Sequence, residues 1–176
     1  MRRADGVLQT GEHVLEIGSG AGTRTVAAAD YVGDQGRVAG LDISRTLLKH
    51  ARTQGADKPQ ARFVQADAQT HAFDHAYDVM ISRFGVMFFA DTAAAFANIT
   101  QGFKSGARMI MAAWGPAPQN PWFMDAAALA SDVMGKPPKN ARTLPRPFAF
   151  ARPQRLVRLL WAAQLLAVQC DANSLH

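Results

Sequence analysis

The sequence predicts an α/β domain in which helices cover both faces of a mainly parallel sheet, a three-layer α-β-α sandwich. Two observations carry this. Short apolar runs alternate with segments at helical spacing along the first 114 residues, the order that βαβ units produce. The first run, Val14-Leu15-Glu16-Ile17, leads into glycines at 18, 20 and 22, and Thr23 to Tyr31 then continue at helical spacing. A strand that is apolar almost throughout is one buried on both faces. A glycine turn ahead of a helix tolerates positive φ, and the helix aims unpaired N–H groups back across it. Strand, glycine turn and helix together form a nucleotide-binding corner.

The elements follow in order. Val7 to Glu12 lead in, with Gly11-Glu12 turning the chain into a first strand at about His13 to Ile17. A first helix runs from about Gly22 to Val32 and ends in the loop Gly33-Asp34-Gln35-Gly36. The second strand, Arg37 to Leu41, ends at Asp42, and Ser44 is placed to cap a helix over Arg45 to Gln54. Ala61 to Gln65 reads as the third strand, closing on Asp67, and Tyr77 to Ser82 as the fourth. A helix opens at Asp91-Thr92 and runs through Phe103, and Lys104-Ser105-Gly106 turns it into a fifth strand, Arg108 to Trp114. Pro121 to Met134 reads as a helix with proline near its first position. A proline-rich connector covers Gly135 to Pro147, Arg152 to Ala163 a last helix, and Leu165 to Gln169 a strand.

Length and composition bound what this chain does. At 176 residues it is one domain able to bury a real core. We divide it into a cofactor-binding core at 7–114 and a helical segment on the substrate side at 115–164. No apolar stretch approaches the ~20 residues of a spanning helix; the longest, Phe84 to Ala90, stops at Asp91. No secretory signal follows Met1-Arg2-Arg3, and the one cysteine, Cys170, rules out an internal disulfide, so a cytoplasmic location is expected. Residues 101–176 hold 9 Lys/Arg against 3 Asp/Glu. Lys136, Lys139, Arg142, Arg146, Arg152, Arg155 and Arg158 carry most of that excess. No nucleic-acid-binding module accompanies them, so they read as a solvated face and no nucleic-acid partner is expected.

Two residues decide which nucleotide suits the corner. A dinucleotide fingerprint, G-x-G-x-x-G, needs a third glycine where this chain has Thr23. Glu16 precedes Gly18 by two positions, and a carboxylate beside a pyrophosphate is repelled. A ligand with a cationic end suits it better. S-adenosylmethionine, with an α-ammonium, a sulfonium and no phosphate, meets that condition around Glu16, Gly18, Ser19 and Gly20. Asp42, 24 positions after Gly18 at the end of the second strand, is placed to accept both hydroxyls of a ribose, with Ile43 against the adenine face. Ligands of open α/β sheets lie outside the carboxyl ends of the strands. The loop opened by Ser82 and Arg83 therefore sits between cofactor and substrate.

Glu16-x-Gly18-x-Gly20-x-Gly22 resembles the first motif of the class I S-adenosylmethionine-dependent methyltransferases. The run from Tyr77 to Asp91, through Ser82-Arg83-Phe84-Gly85-Val86-Met87-Phe88-Phe89, resembles their small-molecule branch, which includes the ubiquinone/menaquinone C-methyltransferases. The resemblance covers about residues 11–114 well and 119–169 loosely. It implies a Rossmann-like methyltransferase fold, S-adenosylmethionine as cofactor, and an acid at Asp67-Ala68 that accepts the adenine amino group. Enzymes of this class that methylate nucleobase amines or a glutamine amide carry Asn-Pro-Pro-Tyr where this chain has Ser82-Arg83-Phe84-Gly85, which speaks against such acceptors.

The reaction implied is in-line displacement of a methyl group to a carbon, oxygen or nitrogen nucleophile on a small molecule. No side chain is nominated as catalytic. His71 and His75 flank Asp74 without a third ligand, so no metal is expected. The family fold has a seventh strand that is not found here, and the helices preceding the first strand are missing too. We therefore expect a chain shortened at both ends, with the fifth strand's edge open to self-association. The competing readings are a non-catalytic S-adenosylmethionine-binding or protein-interaction fragment, and, less favoured, an NAD-dependent oxidoreductase.

Overall fold

Residues 8–135, 147–163 and 165 are described by a computed structural model. Its centre is β1 (His13–Ile17), whose residues from Val14 onward are all buried. β1 pairs in parallel with β2 (Arg37–Asp42) on one side and β4 (Tyr77–Arg83) on the other, so that Leu15 lies opposite both Ala39 and Met80. β3 (Ala61–Gln65) extends the sheet beyond β2, and β5 (Phe103–Ala112) extends it beyond β4, giving the order β3-β2-β1-β4-β5.

Alternation along each strand sorts the core into two layers. Val14, Val38 and Val79 face α1 (Thr23–Val32) and pack with Ala28, Ala29 and Val32. Leu15, Ile17, Leu41 and Met80 face the opposite way, where Phe96 and Ile99 of α3 (Thr92–Thr100) and Leu160 of α5 (Pro153–Ala162) cover them. α2 (Arg45–Gln54) buries Leu48 and Ala51, and Ser44 caps it by accepting from Leu47 N at 3.3 Å. Asp91 caps α3 in the same way, from Ala94 N at 3.0 Å. Each such cap is worth ~1 kcal/mol. α4 (Pro121–Met134) buries none of its residues.

Several boundaries differ from those the sequence predicts, by one residue in β4 and at each end of α5, and by more in α3 and β5. α3 ends at Thr100 rather than at Phe103, because the N–H groups of Gln101 and Gly102 turn back to Asn98 and Ile99. β5 begins at Phe103 rather than Arg108 and stops at Ala112, short of Trp114. The predicted turn lies inside it as an irregularity: Tyr77 pairs with Phe103, Val79 with Arg108, and Gly106 between them has φ 79°. The strand at Leu165–Gln169 falls outside the described residues after its first position, as do Lys136, Lys139, Arg142, Arg146 and Cys170. Among the described residues, β5 forms one edge of the sheet and no helix is long and apolar enough to cross a membrane.

Candidate cofactor site

The strand order reverses between β1 and β4, and the site is built where their carboxyl ends meet. The two segments touch there backbone to backbone. A Cβ on Gly18 would lie 2.7 Å from Gly85 Cα, and one on Gly85 would lie 2.6 Å from the Ile17 carbonyl oxygen. The Ser82 hydroxyl fastens the contact by donating to that same carbonyl at 2.8 Å, and the residue is buried. Ser82, expected at the cofactor, thus acts as a strut between strands.

Gly18 and Gly20 hold φ of 73° and 56°, the left-handed region that costs an L side chain energy. Gly22, at φ 88°, is held by packing as well, since a Cβ there would meet Ala51 Cβ at 2.8 Å and Phe63 Cε1 at 2.9 Å. Gly20 differs: a Cβ would find nothing within 4 Å. The middle of the turn borders open space, as a cradle for a ligand must.

Next to that space the turn is tied to the end of β2. Gly18 N and Ser19 N donate to the Leu41 carbonyl at 2.9 and 3.0 Å. One Asp42 oxygen accepts from Gly20 N and the other from Ser44 N, both at 2.8 Å. Each carboxylate oxygen has a second lone pair, so Asp42 remains able to accept hydroxyls. Ile43 beside it is 73% exposed, an apolar surface with nothing of the protein over it. Ser19 Oγ is buried without a partner; it lies against Gly40, beneath the turn rather than over it.

Glu16 is the residue whose surroundings the sequence did not foresee. It is 1% exposed and faces α1. One oxygen accepts from Arg24 Nε and Nη2, both at 3.1 Å, and the other from the Thr25 hydroxyl at 2.6 Å. Burial pushes its carboxyl above the ordinary value, while Thr25 and Arg24 pull the other way and Arg83 adds a weaker pull. The charge ahead of the glycines is shared with Arg24 rather than bare, and Glu16 braces the start of α1 from below.

β3 delivers Asp67 and Ala68 to the same end of the sheet. Ala66 N donates to the Asp42 carbonyl at 3.1 Å, which sets the two aspartates in neighbouring loops. Asp67 is exposed and its carboxylate is met by Gln69, a residue the sequence reading passed over. Ala68 is buried, and its carbonyl accepts from Asn98 Nδ2 of α3 at 3.0 Å.

β4 ends in a loop beside the β1–β4 contact. Arg83 is exposed, with its guanidinium carbon 6.0 Å from the Phe84 ring centroid. Phe84 holds φ 66°, a strained position for an aromatic residue, and its ring stacks on Trp114 at 4.2 Å and 4°. Trp122 of α4 lies 5.1 Å from Trp114 and is 54% exposed. A wall of rings therefore runs from the β1–β4 contact to α4. His71 and His75 lie elsewhere: His71 packs edge-on against Phe73, and His75 Nδ1 is 3.3 Å from the Gln101 carbonyl. Among the described residues no three metal-ligating side chains cluster.

S-adenosylmethionine fits this arrangement. The space over Gly20, the acceptors of Asp42 and Asp67 and the uncovered Ile43 suit a nucleoside with no phosphate. Comparison with known proteins agrees. The family described as a methyltransferase domain matches residues 14–106. A ubiquinone/menaquinone biosynthesis C-methyltransferase of Teredinibacter turnerae is 33% identical over 137 residues, covering 73% of this chain and 55% of that protein. Aklanonic acid methyltransferase of a Streptomyces species is 32% identical over 103 residues, 57% of this chain and 47% of that one. The chain thus spans about half the length of these curated relatives. The crystal structure of an S-adenosylmethionine-dependent methyltransferase from Aquifex aeolicus superimposes with a TM-score of 0.66 at 15% identity, over 89% of this chain and 73% of that one. With the motif, the switch-point geometry and the family match in agreement, the chain belongs to the methyltransferase-domain family of class I S-adenosylmethionine-dependent methyltransferases.

Proposed function

We propose that this chain carries out S-adenosylmethionine-dependent methyl transfer to a small-molecule acceptor. One observation carries the reading: a glycine turn at the β1–β4 switch point, open above Gly20 and pinned to Asp42. Asp42 receives the ribose hydroxyls, Ile43 lies along the adenine, and Asp67 accepts the adenine amino group. The backbone of Gly18 to Gly20 borders the methionine end, where Arg83 stands as an exposed cation. The described residues of the 115–164 segment lie on the acceptor side, with Trp114 and Trp122 as an apolar wall. The printed names of the two relatives concern small biosynthetic molecules, which supports an acceptor of that size.

When bound, S-adenosylmethionine supplies a methyl group on a sulfonium that is already an activated leaving group. The protein's part is to orient the two reactants and exclude water, which needs no acid or base from the chain. Phe84, Trp114 and Trp122 suit the second task. Calorimetry with S-adenosylhomocysteine and with NAD tests the cofactor: the first binds and the second does not. Transfer of labelled methyl from S-adenosylmethionine into a fractionated metabolite extract then tests the reaction. Cofactor binding without any labelled product assigns the chain to binding alone, and preference for NAD overturns the reading.

A further inference from the structure

We propose that Gln69 is a positioning residue that aims the Asp67 carboxylate at the adenine amino group, and so sets the preference for a 6-amino purine. This rests on the cofactor reading above. Gln69 makes contacts on both ends of its amide. Its Nε2 donates to the two Asp67 oxygens at 3.3 and 3.2 Å, while its backbone N donates to one of them at 2.9 Å. Its Oε1 accepts from Ala90 N at 2.8 Å and Asp91 N at 3.2 Å. The amide orientation is dictated by these partners: two N–H groups need an oxygen opposite them, and a carboxylate needs a donor.

The pattern demands glutamine. Glutamate cannot donate to a carboxylate, lysine cannot accept from two N–H groups, and asparagine has one methylene fewer with which to span from the β3 loop to Ala90. The carboxylate Gln69 holds is exposed, so without a second fixed partner it would swing about its own Asx turn. The far anchor is also informative. Ala90 and Asp91 end the segment that follows β4, and Asp91 caps α3. One side chain thus fixes the purine-reading group against the segment that leads to the acceptor side.

A second tether offers a matched control. Asn98 Nδ2 joins α3 to the same β3 loop, through the carbonyls of Ala68 at 3.0 Å and His71 at 2.9 Å, without touching Asp67. Gln69→Glu keeps the acceptor for Ala90 and Asp91 but sets a second carboxylate against Asp67. Asn98→Ala cuts a tether and leaves Asp67 as it is.

The test is calorimetry of the whole chain with S-adenosylhomocysteine and with S-inosylhomocysteine, which carries an oxo group in place of the amine. The wild-type protein is expected to favour the amine by roughly tenfold or more, the worth of a hydrogen bond to a charged acceptor. Gln69→Glu is expected to cut that preference to about threefold or less near pH 8. Asn98→Ala is expected to keep the full preference. If Gln69→Glu does not fold, Gln69→Met, which has no donor for Asp67, should show the same loss. Full preference in the Gln69 variants, or equal loss in Asn98→Ala, overturns the proposal. Equal binding of both nucleosides by the wild-type protein also overturns it while leaving the methyl-transfer reading intact; binding of neither overturns both.

Discussion

Gly20 and Gly106 form a matched pair that separates stability from ligand binding. Both have positive φ, 56° and 79°, and in both a Cβ would find nothing within 4 Å. Alanine at either site therefore pays the same backbone penalty, about 1–2 kcal/mol for a left-handed L residue, and meets no clash. For a chain of this length that corresponds to a fall in Tm of about 2–8 °C. The two sites differ in what lies outside them. Gly20 sits in the turn pinned by Asp42, whereas Gly106 lies in the irregular opening of β5, at the other end of the sheet. If the space over Gly20 belongs to the cofactor, a methyl group there intrudes on it directly. Gly20→Ala should then weaken S-adenosylhomocysteine binding by roughly tenfold or more, an overpacking cost, while Gly106→Ala binds as the wild type does. Thermal melts and calorimetry on both variants decide the matter. Matching melts with unchanged binding in Gly20→Ala would refute the assignment of that space, and a far larger melting loss in Gly20→Ala would show that the turn is packed from above.

Three further perturbations address the rest of the site. Gly85→Ala has an ordinary φ of −78° but drives a Cβ into Ile17 O at 2.6 Å and Gly18 Cα at 2.9 Å; it should lose about 1–3 kcal/mol in urea unfolding and loosen cofactor binding as well, because the glycine turn is what must move. Asp42→Asn puts an NH₂ opposite either Gly20 N or Ser44 N, which should cost about 1.5 kcal/mol of stability and a larger share of S-adenosylhomocysteine affinity than of stability. Glu16 titrates above its ordinary value of 4.5 because burial outweighs Thr25 and Arg24, so the folded state holds its proton more tightly than the unfolded state. Its contribution is thus full below pH 4.5 and falls as pH rises through the raised value. Urea unfolding across that range should show a decline in the wild-type protein that Gln at position 16 removes; identical pH slopes would contradict the assignment.

How much of this was legible in the chain follows from what kind of force sets each feature. α2 and β3 begin and end where the sequence places them, because Ser44, Gly55 and a short strand-like segment bounded by loops are local signals. The glycine turn and Asp42 were legible for the same reason, since their spacing along the chain is itself the geometry. The contacts that were missed depend on how elements fold onto one another, which spacing along the chain does not report. Arg24 reaches Glu16 only because α1 folds back over the end of β1. Gln69 is one loop glutamine among several until β4 brings Ala90 and Asp91 beside it. Ser82 lies near the end of β4, and its hydroxyl donates to the Ile17 carbonyl of the neighbouring strand, a partner that only the β1–β4 pairing brings near. The early part of β5 was misplaced because its pairing with β4 slips between Tyr77 and Val79, a register set by the partner strand and not by periodicity. The division has a consequence for specificity. The motif places the glycine turn and Asp42, but the side chains that hold the neighbouring carboxylates in place are polar bridges fixed by topology. Chains that share the Glu16-to-Gly22 pattern can therefore differ in how firmly they discriminate the purine, and a residue such as Gln69 is where that difference would reside.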